Sequence, residues 1–72
     1  MFKRLKAWRE KRQEEAGYNW AINSYLITGA TIEVLQEYVD CSRAFNTYDS
    51  FDKGIEKAII YIREVESGDI EP

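Results

Sequence analysis

Histidine is absent from this 72-residue sequence, and cysteine occurs once, at Cys41. The first absence removes the usual base of Ser-His and Cys-His nucleophile pairs. Together the two remove the normal ligands of a structural zinc site. One cysteine cannot form an internal disulfide, which fits a reducing compartment. Proline occurs once, at Pro72, so nothing inside the chain interrupts helices by ring geometry. No apolar run approaches the roughly 20 residues that a membrane span needs. The N-terminal stretch is charged without an apolar core, unlike a secretory signal. The expected setting is cytoplasmic.

The four glycines, Gly17, Gly29, Gly54 and Gly68, are too scattered to cradle a phosphate. The acids form no EF-hand loop. Asp49 and Asp52, three apart, read as helix-capping or solvated groups before they read as a cation site. Cys41 lies off the apolar stripe of its segment and reads as a small helix residue rather than a reactive thiol. A carboxylate pair for acid–base chemistry needs a pocket that raises one pKa, and a chain this short rarely encloses one. The sequence therefore predicts no catalytic, cofactor-binding or metal-binding residues and no enzyme.

What is present is aromatic and helical. Aromatic residues make up 14% of the chain, two Trp, five Tyr and three Phe. They give a small core much buried area per residue. The organising stretch is the last one, where Tyr48, Phe51, Ile55, Ala58, Ile59, Ile62 and Val65 recur at steps of three and four. That spacing traces one stripe of an α-helix expected over 47–66, which starts either near Asn46, with Asn46 or Thr47 as cap, or only at Ser50. Gly54 lies at the edge of this stripe and predicts a close helix approach or a bulky aromatic resting there, because glycine inside a helix otherwise costs about 1 kcal/mol. Upstream, a basic helix is expected over 1–16 with Gly17 as its C-cap. A central apolar helix follows over 18–28, and a turn at Gly29-Ala30. A third helix spans 31–45, with Thr31 as N-cap and Glu33 in its first turn. The tail, 67–72, is expected to fray. The fold class is all-α, one domain, a compact bundle of three to four short helices.

Charge is uneven. The net charge is −3, yet residues 1–12 hold Lys3, Arg4, Lys6, Arg9, Lys11 and Arg12 against Glu10 alone. Residues 17–72 hold four cations and ten acids. Two solvated helix faces would produce such a split. So would a basic arm on nucleic acid or a membrane surface, or an acidic face on a basic partner. Trp8, three residues after Leu5, reads first as a core residue. Its alternative role is to stack beside the six cations on a nucleic acid.

Some apolar side chains fall outside every stripe. Trp20 and Ile27 lie off the face of the second helix, and Ile60 lies across the last helix from its stripe. Packing within the chain is the favoured reading for Trp20, and contact with a partner for Ile60. These two are the candidate apolar interface.

The segments Tyr18-Asn19-Trp20-Ala21, Gly29-x-Thr31-x-Glu33-x-Leu35 and Phe51-Asp52-x-Gly54-x-x-x-Ala58-Ile59 resemble small accessory proteins of tailed bacteriophages. The resemblance covers roughly residues 17–60 and leaves the basic segment outside it. It implies a protein that binds one host protein and blocks or redirects it, in the host cytoplasm. It transfers no catalytic residue. The expected function is thus a non-catalytic inhibitor or adaptor of a host protein. The alternatives are a nucleic-acid-binding accessory protein using the basic helix and a self-assembling structural protein, a homo-oligomer.

Overall fold

The computed structural model describes residues 2–68, and the side chains of residues 6–68. It is an all-α bundle of three helices, α1 (Phe2–Asn23), α2 (Ile32–Ala44) and α3 (Ser50–Ser67). A single π-helical turn, Ser24–Thr28, continues α1. There is no strand among the described residues.

The break expected at Gly17 does not occur. Residues 1–16 and 18–28 do not form two helices, because α1 runs unbroken through Gly17. The reason lies in the packing. A Cβ on Gly17 would fall 2.8 Å from the Phe51 carbonyl carbon, and one on Gly54 would fall 2.7 Å from the Tyr18 amide nitrogen. Each glycine admits the backbone of the other helix, so α1 and α3 cross at closer range than any side chain allows. Gly17 marks a close approach, not a helix end. Glu14 and Glu15, which a helix end at Gly17 would place where the helix dipole disfavours acids, sit mid-helix. There Glu14 pairs with Lys57 of α3.

The chain leaves α1 through the π turn. Gly29 adopts φ 74°, and its amide donates to the Ser24 carbonyl. Thr31 then caps α2, its hydroxyl accepting from the Val34 amide at 3.3 Å. After Ala44 the chain turns through Asn46, a non-glycine residue at φ 60°. It enters α3 at Ser50, the later of the two expected starts. Asp49 supplies the cap. Its carboxylate accepts from the Phe51 and Asp52 amides, while Asp52 accepts from the Asp49 amide at 3.2 Å. This reciprocal box fixes where the helix begins. Gly68 ends α3 at φ 84°. The tail expected at 67–72 lies outside the described residues after Gly68.

Pairings along the helices give the topology. Gln13 meets Asp49 at one end and Tyr25 meets Glu66 at the other, so α1 and α3 run parallel. Arg43 meets Glu56, and Ile32 lies beside Arg63 and Glu66, so α2 runs the opposite way. The core lies where the three helices meet: Ala21 of α1, Leu35 and Val39 of α2, and Ile55, Ala58, Ile59 and Ile62 of α3. Leu35, Val39, Ile55 and Ile62 are the largest fully buried side chains. Burying each contributes about 1.5–3 kcal/mol relative to exposure. Tyr18, Ile22, Tyr25, Ile32 and Phe51 surround them. Tyr48, at the head of the expected stripe, lies outside the core and is exposed.

Candidate interaction surfaces

Two surfaces at opposite ends of the bundle stand out. The first is the N-terminal half of α1. Gln13 Nε2 donates to Asp49 Oδ2 at 3.1 Å, which sets residue 13 level with the start of α3. Residues 2–12 of α1 therefore extend past the body by about 16 Å, at 1.5 Å per residue. Every residue from Lys6 to Gln13 is exposed. The longest dimension of the molecule is 43 Å. That exceeds the roughly 27 Å of an 18-residue α3 alone.

Of the candidate cations, Lys6, Arg9, Lys11 and Arg12 stand exposed on this overhang. Lys3 and Arg4 lie on its first turn, and their side chains are outside the described residues. Trp8 is not a core residue, being 55% exposed. Nine residues separate it from Gly17, which puts it on the opposite side of the helix from the crossing with α3. The Arg12 guanidinium lies 5.0 Å from the Trp8 ring centre, a cation–π pair at the i, i+4 spacing. Glu14 is the first described residue of α1 that is partly buried. Its hydrogen bond with Lys57 holds its carboxyl below the usual range.

The second surface lies at the far end, around the π turn. Ile22, Tyr25 and Leu26 from the first helix and its turn, with Tyr61, Ile62 and Val65 of α3, line an apolar hollow of about 360 Å³. Leu26, in its lining, is 69% exposed, and Ile27, the next residue of the turn, is 79% exposed. One wall is held by the Tyr25 hydroxyl, which donates to Glu66 Oε1 at 3.1 Å. Donating to that carboxylate raises the pKa of the Tyr25 hydroxyl. A hollow with almost no polar lining and a largely exposed leucine in its wall suits an inserted apolar side chain.

The sequence candidates for an apolar interface fall elsewhere. The Trp20 ring packs on Tyr38 at 5.2 Å and on Phe51 at 5.8 Å, an aromatic cluster that ties all three helices together. Ile60 is 57% exposed. Its neighbours on that side of α3 are Lys53, Glu56, Lys57, Arg63 and Glu64. A single apolar residue among charges is ordinary surface. Trp20 and Ile60 therefore form no common patch. Leu26, Tyr61 and Val65 carried no signal as a group, because the π turn that brings Leu26 against α3 leaves no mark in residue spacing.

The remaining polar groups serve the fold. Arg43 pairs with Glu56 at 2.9 Å and stacks 4.8 Å above Tyr48, whose hydroxyl donates to the same Glu56. That hydrogen bond raises the pKa of the Tyr48 hydroxyl. The network braces the loop between α2 and α3. Asp49 and Asp52 are engaged in capping, with Asp52 buried. Gly29, Thr31 and Gly54 hold the turn, the cap and the crossing. A wider, open hollow between α2 and α3 carries Glu33, Glu37, Asp40 and Glu66 around Arg63. Cys41 is exposed. Among the described residues, no three His, Cys, Asp or Glu side chains converge as a metal site, and no helix is long and apolar enough to cross a membrane. No known protein family, curated protein or solved structure matches this chain.

Proposed function

We propose that this protein is a small non-catalytic binding protein that acts by occupying a functional surface of a larger protein. In the phage setting that its residue pattern resembles, the partner is a host protein, met in the host cytoplasm, and the outcome is inhibition or redirection. Action is by occupancy, one copy per partner, without turnover.

The observation that carries this reading is the apolar hollow beside the π turn. Interfaces draw most of their affinity from a few large side chains seated in desolvated pockets. Here the receiving pocket is built on two packed helices, so little ordering is needed when a partner side chain enters. Leu26 in its wall and the exposed Ile27 beside it in the turn offer apolar contacts, and the charged faces around it supply a polar rim. Trp20 contributes by fixing the helices, not by contact.

The test is affinity capture from nuclease-treated host lysate by the full chain and by the Leu26→Glu/Ile27→Glu variant. The reading expects one dominant protein with the natural sequence and its loss with the variant. Both substituted residues are exposed, so the variant keeps its helical circular dichroism. Equal recovery by the two proteins contradicts the reading. Recovery of further copies of this chain alone would favour self-assembly instead.

A further inference from the structure

We propose that the overhanging half of α1 enters the major groove of duplex nucleic acid, without regard to sequence. This goes beyond the protein-binding reading and uses the opposite end of the molecule.

The first observation is the overhang itself. About 16 Å of helix projects past the Gln13–Asp49 contact with none of its described side chains sunk into the body. The second is how its cations are placed. At roughly 100° per residue, positions 3, 4, 6, 9, 11 and 12 spread round the whole circumference, and no gap between neighbours exceeds about 80°. The only acid on it, Glu10, falls on the same side as Gly17, towards α3.

This arrangement selects the occupant. A flat acidic protein surface, or an anionic bilayer, meets one side of a helix and leaves the remaining cations in water. A membrane-surface helix also needs its apolar residues segregated. Here the positions of Phe2, Leu5 and Trp8 are interleaved with those of Arg9 and Arg12. A major groove is about 12 Å wide, admits an α-helix, and presents phosphates on both walls. It alone offers anions to a helix that is cationic on every side. Phosphates carry no sequence information, so the contact fixes position rather than reading bases. The body carries acids at both ends, and those at the base of the arm, Asp49 and Asp52, are engaged in the cap of α3. Glu33, Glu37 and Glu66 sit near the C-terminal end of α3, away from the overhang. Repulsion turns that end from a polyanion while the arm is drawn in.

The experiment is fluorescence anisotropy of a mixed-sequence duplex of about 20 base pairs, titrated with the full chain at several salt concentrations. Each neutralised phosphate contributes a log–log salt slope of about −0.9, so four to six contacts predict a slope of about −4 to −5. Arg9→Gln/Arg12→Gln should reduce that slope by about two and weaken low-salt binding by about tenfold or more. Leu26→Glu should change neither. Circular dichroism confirms that the variants are folded, as the exposure of these positions predicts. Single strands of the same length, anionic vesicles and polyglutamate form the comparison arms. The inference is overturned by absent duplex binding at the lowest salt. Binding of any comparison ligand as tightly as duplex, or an unchanged slope in the double variant, overturns it as well.

Discussion

Gly17 and Gly54 are the same residue type on neighbouring helices, yet only one announced its role. Gly54 sits inside a clear apolar stripe, so a helix interior was legible and a close approach followed. Gly17 follows a polar segment and precedes an apolar one, which is also how a helix end looks. Spacing alone cannot separate a terminus from a crossing, because the partner backbone is distant in sequence. The structure makes a prediction that runs against helix propensity. In an ordinary helix interior, Gly→Ala gains up to about 1 kcal/mol. Here Gly17→Ala and Gly54→Ala should each destabilise by about 2 kcal/mol or more, since the new Cβ meets backbone that cannot swing aside. In a chain of this size, thermal melting should fall by roughly 10 °C. An unchanged or raised midpoint would mean that the helices separate easily. The cap is a milder case. Asp49→Ala should cost about 1 kcal/mol in urea unfolding. Glu14 adds a pH dependence. Its pairing with Lys57 holds the carboxyl below its ordinary 4.5, so the folded state binds the proton less readily than the unfolded chain. The contribution is present above that value and lost as pH falls through the lowered one. Melting measured from neutral to acid pH should show a component that disappears in Glu14→Gln.

At the scale of elements, α2 and α3 were readable because each carries its own punctuation. Thr31 with Glu33 opens α2, and the stripe from Phe51 to Val65 defines the buried face of α3. The start of α3 was open between Asn46 and Ser50, and Ser50 is where it begins because Asp49 and Asp52 cap each other and outcompete Asn46 and Thr47. The first helix was the least legible. Its segment from Arg9 to Glu15 has no apolar face, and helices are usually recognised by that face. The reason is now geometric: every residue from Lys6 to Gln13 is exposed, so nothing selects an apolar face there. Trp8 was misplaced for the same cause, since an aromatic three residues from a leucine reads as core only if the helix has something to pack on. It follows that neutralising Lys6, Arg9, Lys11 and Arg12 together, each to Gln, should leave the thermal midpoint within about 2 °C of the natural protein. A large drop would place the arm against the body. The π turn was not legible at all, and with it the hollow around Leu26.

Over the whole molecule, charge and apolar surface are sorted by position. The arm, at the α3 N-terminal end, exposes Lys6, Arg9, Lys11 and Arg12. The π-turn end offers an apolar hollow with acids nearby. In between lies a core so small that its stability rests on one close helix crossing and a few buried Leu, Ile and Val side chains. The two ends are therefore expected to act separately, one on a protein and one on a duplex, joined by a body that transmits no chemistry. The measurement that tests this most directly is amide hydrogen-exchange footprinting, with duplex and with the captured protein in turn. Duplex should protect amides of residues 6–13 and leave those of residues 22–27 and 61–65 unchanged, whereas the protein partner should do the reverse. Footprints that coincide, or a duplex footprint on the π-turn end, would contradict the account.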